Sequence, residues 1–239
     1  MAANIYIDGF NLYYGSLAHS RYKWLNIATM CQILLPRLTL KRIRYFTAIV
    51  KPLAHDPGAP IRQTVYLRAL ETIPNVEIIR GLFVEWPRLM PQFPFAYTDQ
   101  STPPTRPPQK VQILKREEKG SDVNLASFLL VDCFDNDFDE AVVISNDSDL
   151  AMPIEFVVKK FGKRVILVNP DRSNPPSGKL KSVASSYMPK INNSVLDKSQ
   201  FSQTLTDSNG TFTKPPTWLS KFKNLKLHQL PKCQACNSN

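Results

Sequence analysis

No stretch of this chain approaches the roughly 18 consecutive apolar residues that a membrane-crossing helix needs, so no membrane partner is expected. Cysteine is scarce. Cys31, Cys133, Cys233 and Cys236, spread over 239 residues, are too few for a disulfide framework. The start, MAANIYIDGF, has no basic segment followed by a long apolar one, so no signal peptide is expected and the protein is assigned to the cytoplasm. Histidine is scarcer still: His19, His55 and His228 fall in unrelated segments. There is no G-x-S-x-G elbow and no Walker loop, and Asp8-Gly9-Phe10-Asn11 is not a glycine-rich phosphate cradle.

What remains is an ordinary globular composition with a basic excess. Hydrophobic residues make up 43% of the chain, enough for a core. Thirty Lys+Arg against 20 Asp+Glu leave a formal net charge of +10. That surplus favours a polyanion such as nucleic acid, although a solvated basic surface explains it equally well.

Apolar runs of strand length alternate with segments of helical period. Strands are expected over 3–7, 43–50, 76–84, 140–145 and 164–168, and helices over 26–38, 59–72, 121–134 and 148–161. Gly162 suits a helix end, and an oxygen of the Gly-Ser-Asp entry at 120–122 suits a helix start. Continuous β-branched runs alternating with helices predict a three-layer α/β/α sandwich on a mainly parallel sheet. Residues 85–110, dense in proline and aromatics, break the rhythm and read as a long loop. A domain over 1–192 and a polar, basic appendage over 193–239 are therefore expected. In the appendage, Cys233 and Cys236 with His228 supply three of the four ligands a zinc site needs, and free thiols are the default.

Acidic residues gather where such a sheet places its chemistry, just beyond the carboxyl ends of the strands. Asp8 follows the first strand, Asp147 and Asp149 follow the run ending at Ser145, and Asp122 opens a helix. Each has a structural alternative as a turn residue or helix cap. Together, converging carboxylates repel unless a cation lies between them. Oxygen ligands without Cys or His point to Mg²⁺ or Mn²⁺, and such ions activate water for phosphoryl transfer.

IYIDGFNLYYG, KGSDVNLA and VVISNDSDL, in this order and spacing, resemble the NYN domain family of the PIN-like nuclease fold over residues 3–190. The resemblance implies a metal-dependent nuclease acting mostly on RNA, with Asp8, Asp122, Asp147 and Asp149 as ligands of Mg²⁺ or Mn²⁺. It further implies that Asn11 orients Asp8 or a phosphate, and that Ser145 leads the last motif. Asn146 stands where the family usually has glycine. Lys119 is a candidate phosphate contact or an ordinary solvated lysine. Lys115, Arg116, Lys159, Lys160, Lys163, Arg164, Lys179 and Lys181 can track a nucleic-acid backbone or form a solvated face. Tyr13, Tyr14, Trp86, Phe93, Phe95 and Tyr97 can stack on bases or simply pack. A structure-specific DNA nuclease, and an RNA-binding module that has lost activity, stay open as alternatives, and so does a homo-oligomer.

Overall fold

The structure is a computed structural model, and it describes residues 1–97, 99, 101, 104 and 106–219. The tail residues His228, Cys233 and Cys236 lie outside the described residues. Six strands form one sheet: β1 (Ala2–Asp8), β2 (Thr39–Thr47), β3 (Val76–Arg80), β6 (Glu140–Ile144), β7 (Arg164–Val168) and β8 (Ser186–Met188). Their spatial order is β3-β2-β1-β6-β7-β8, and every pairing is parallel. The sheet carries helices on both faces, as the alternating pattern predicts, and its strands are accordingly buried from both sides. All five residues of β6 are buried.

Side-chain alternation along β1 assigns the two faces. Ala3, Ile5 and Ile7 enter one core with α2 (Ile27–Leu34) and α3 (Ala59–Glu71). Tyr6 enters the other with α4 (Ser121–Phe134), α5 (Ala151–Glu155) and α6 (Gly178–Val183). The α2 helix begins as a capping argument requires: Asn26 Oδ1 accepts the Thr29 N–H at 3.0 Å. The helix expected over 148–161 is three successive turns of different pitch, a 3₁₀ turn at Ser148–Leu150, then α5, then a π turn at Phe156–Lys160. Gly162 closes it at φ 66°, the left-handed position that favours glycine.

One expectation requires correction. Residues 85–110 are not simply a loop. β4 (Leu82–Pro91) pairs antiparallel with β5 (Lys110–Lys119) in a two-stranded ribbon apart from the main sheet. Pro87 and Pro91 exclude a central strand but not this one, because a ribbon strand has one edge that needs no N–H donor. The strand expected over 76–84 is thus divided at Gly81 between β3 and β4. Residues 193–219, expected as part of a polar, basic appendage, pack against the domain. α7 (Asn193–Lys198) and the hairpin of β9 (Thr204–Asp207) and β10 (Gly210–Thr213) pack on the α2/α3 face through Leu196, Phe201, Leu205, Phe212 and Trp218. Among the described residues, no helix is long and apolar enough to cross a membrane.

Candidate active site

The connections leaving β1 run to β2 on one side and, after β3 and the ribbon, to β6 on the other. The crevice outside the carboxyl ends of β1 and β6 is therefore the switch point at which doubly wound sheets bind ligands. Register brings the motifs together there. Tyr6 pairs with Val143 and Ile7 with Ile144, so Asp8 and Ser145 are the next residues in step on the α4 side. The Ser145 hydroxyl donates to Asp8 Oδ2 at 3.0 Å and accepts the Asp147 N–H at 3.1 Å.

Asp8 is 2% exposed. It caps the short helix α1 (Gly9–Leu12), with Oδ1 accepting the Asn11 N–H at 2.9 Å. Asn11 Nδ2 donates to Asp8 Oδ2 at 2.5 Å, and Asn11 Oδ1 accepts the Asn146 N–H at 3.3 Å. Asn11 thus fixes the carboxylate and ties the end of β1 to the end of β6. Burial raises the Asp8 pKa above its ordinary value, the bonds from Asn11 and Ser145 oppose this, and the charge of Asp147 adds to it. Gly9 is required by close approach: a Cβ there would stand 2.7 Å from the Phe46 carbonyl oxygen and from Tyr45 Cζ.

Asp122 reaches the same rim from α4, but not as a cap. Gly120, at φ 99°, occupies the cap position, and the Ser121 N–H is taken by Glu118 Oε1 at 3.0 Å. The expected oxygen cap from the Gly-Ser-Asp entry is therefore absent, and Asp122 stands in the first turn with its carboxylate free of hydrogen bonds to the described residues. Its pKa is pushed up to about 6, first by burial and then by the charges of Asp8, Asp147, Glu118 and Asp149. The charges of Asp8, Asp147 and Asp149 are thus close enough to act on Asp122. Glu118 is a fifth member that the sequence reading passed over. Its only signal was its place three residues before the helix start.

Asp147 caps the 3₁₀ turn, Oδ1 accepting the Asp149 N–H at 3.0 Å. The Asp149 carboxylate has no hydrogen bond or ion pair among the described residues. Asn146 has a backbone outside the left-handed region, so asparagine in place of glycine costs nothing there. Its side chain instead binds the 175–177 loop, accepting the Ser177 N–H at 2.7 Å and donating to the Pro175 carbonyl at 3.2 Å.

Lys119 is not drawn to the four aspartates. Its ammonium pairs with Glu117 at 2.5 Å, and Lys115 and Lys119 together hold the Glu117 carboxyl down at about 2. Several other basic candidates are paired as well: Lys115 with Glu117, Arg116 with Glu85, Lys159 with Glu155 and Arg164 with Glu140.

The donor set suits a hard divalent cation: it is entirely oxygen, its charges repel, and Asp122 and Asp149 have no hydrogen-bond or ion-pair partner among the described residues. As the side chains stand, no group of three or more His, Cys, Asp or Glu among the described residues is arranged to hold a metal ion. Asp8 has committed three of roughly four lone-pair positions to Asn11 and Ser145, so about one remains for a further ligand.

A family model for the NYN domain matches residues 2–192. The chain belongs to the NYN domain family. It is 27% identical to 6-hydroxy-3-succinoylpyridine 3-monooxygenase HspA of Pseudomonas putida (strain DSM 28022 / S16), over 91% of this chain and 75% of that protein. Among solved structures, it is similar to a protein of unknown function, VPA0982, from Vibrio parahaemolyticus RIMD 2210633. That match has a TM-score of 0.47 at 14% identity and covers 80% of this chain and 93% of that one. With its NYN domain, this chain has a nuclease-type fold.

Proposed function

We propose that this NYN protein is a divalent-metal-dependent endoribonuclease, with Asp8, Asp122, Asp147 and Asp149 as ligands of Mg²⁺ or Mn²⁺. The observation that carries this reading is the placing of Asp8 and Asp147 at the switch point, joined through the Ser145 hydroxyl, with Asp122 on the same rim, where burial first and the neighbouring carboxylates second push it up to about 6. A cation bound there would activate water and neutralise charge on the phosphoryl transition state. Asn11 and Ser145 orient Asp8, and the Asp149 N–H holds Asp147. Lys119 contributes to phosphate binding only by leaving Glu117. The net charge of +10 suits a phosphate backbone and supports nucleic acid as the substrate class.

The Pseudomonas relative is named a monooxygenase, a different chemistry. At 27% identity that name does not outweigh the carboxylate cluster. The test is to incubate the full chain with labelled single-stranded RNA, duplex RNA and DNA, in Mn²⁺ or in EDTA. Cleavage of RNA is expected in Mn²⁺ only, and Asp147→Asn is expected to abolish it. Cutting by that variant at the wild-type rate would refute the site. Cleavage confined to DNA would make the protein a DNA nuclease, and tight RNA binding without cleavage would make it a binding module.

A further inference from the structure

Beside Asp8, on the α2/α3 side of the sheet, lies a cavity of about 370 Å³. Its walls include Phe10, Tyr13, Tyr45, Tyr66 and Trp218, and Gly9 closes the side next to the carboxylates. Tyr66 meets Tyr45 and Trp218 edge to face, at 6.4 and 6.2 Å between ring centroids, which fixes these rings as walls. The size falls in the range of small-molecule sites, roughly 300–1,000 Å³.

Two polar features are unexplained by the fold. Tyr45 is 4% exposed, yet its hydroxyl has no hydrogen-bond partner among the described residues. Tyr45 lines the cavity, so its hydroxyl is available to donate to an acceptor on a bound group. Lys23 and Lys51 also line the cavity, and neither has an ion pair among the described residues. Asp56, the only carboxylate on the wall among the described residues, is engaged by Arg62 at 2.5 Å. The cavity is therefore aromatic around its sides and positively charged at its edge.

We propose that this cavity binds one planar heteroaromatic ring carrying an anionic group. The ring packs among the tyrosines and Trp218, an acceptor atom takes the Tyr45 O–H, and the anion meets Lys23 and Lys51. Two sources share that chemistry, an unstacked nucleotide of a nucleic acid and a free heteroaromatic acid. The first rests on the nuclease reading and makes the cavity the base subsite of the same centre. The second does not depend on it.

The test is a titration of the full chain in EDTA, where no cleavage occurs, by calorimetry and tryptophan fluorescence. The probes are adenosine 5′-monophosphate, adenosine and nicotinate. Saturable binding of the monophosphate, and weaker binding of adenosine, identifies a nucleotide. Saturable binding of nicotinate alone identifies a free acid. Lys23→Gln is expected to weaken binding roughly 10–100-fold, the value of a charge-assisted contact. Tyr45→Phe keeps the ring and should weaken it about 2–10-fold. If neither anion binds at millimolar concentration, or if both variants bind as wild type does, the inference is overturned. RNA cleavage measured on the same preparation separates this failure from failure of the nuclease reading.

Discussion

At the scale of single residues, the four aspartates are not equivalent. Asp8 and Asp147 are held by hydrogen bonds whose donors the motifs themselves supply, Asn11 and Ser145 for one and the Asp149 N–H for the other. Asp122 has no such donor among the described residues, and burial and its neighbours' charges both act against its ionised form. Its folded pKa of about 6 lies above the ordinary 3.8, so between those values the folded chain holds more protons than the unfolded one. In the absence of divalent cations, stability therefore falls as pH rises from about 4 to 6, the reverse of a salt-bridged carboxylate. Replacing Asp122 by Asn should leave stability unchanged near pH 4 and raise it above pH 6. Added Mn²⁺ should raise the melting temperature of wild type at pH 7, much less at pH 4.5, and hardly at all in the variant. Thermal melts across pH, with and without Mn²⁺, check this. Parallel curves for wild type and variant would remove Asp122 from the cluster.

At the scale of elements, α4 carries the argument. Its first turn presents Asp122, and Asp132, three turns on, fastens it to the sheet. Asp132 Oδ2 accepts from Tyr6 Oη at 2.5 Å, from Asn4 Nδ2 at 3.4 Å and from the Arg44 guanidinium. Arg44 in turn pairs with Glu77 at 2.9 Å and lies 4.5 Å from the centre of the Phe128 ring. Truncating Asp132 leaves the buried guanidinium with only the half-exposed Glu77 as counter-charge and the Tyr6 hydroxyl without its acceptor, a loss of up to about 3–5 kcal/mol. Asp132→Ala should lose stability of that order in urea unfolding. Arg80→Ala, which breaks the exposed pair with Glu71, should lose at most about 1 kcal/mol. Equal losses would mean that the network does not hold the helix. None of this was legible beforehand, because Asn4 and Arg44 look like ordinary polar residues in strands and only the fold brings α4 over them. The central strands were legible, because β-branched runs buried on both faces have few other uses. The β4–β5 ribbon was missed because Pro87 and Pro91 argue against a ladder that needs every N–H, whereas a two-stranded ribbon does not. Asp8, Asp147 and Asp149 could be placed by strand ends. The cavity beside Asp8 could not, since Phe10, Tyr45, Tyr66 and Trp218 come from four separate segments.

At the scale of the whole molecule, the family match and the folding unit end at different places. The NYN match stops at residue 192, but packing continues to Trp218. Trp24 is fully buried, and part of what covers it comes from beyond that boundary. Its indole N–H donates to the Ser202 carbonyl at 2.8 Å, and its ring lies 5.6 Å from Phe201 and 6.4 Å from Trp218. Arg68 of α3 binds Asp207 of the β9–β10 hairpin through two bonds of 2.7 Å. Fully burying one large apolar side chain is worth about 1.5–3 kcal/mol, and Leu196, Phe201, Leu205, Phe212 and Trp218 each contribute a share. The sum is comparable with the roughly 5–15 kcal/mol that holds a whole domain together. A chain ending at Lys190 or Asn192 should therefore not fold as an independent domain, although it contains every aspartate of the site. It should bind a hydrophobic dye, lose the near-ultraviolet circular dichroism of a packed tryptophan, and cut no RNA. A truncated chain with a cooperative unfolding transition at the wild-type temperature would show instead that residues 193–219 merely rest on a complete domain. In that case Trp218 would matter only as a wall of the cavity, and the truncation should weaken nucleotide or nicotinate binding while leaving the aspartate cluster intact.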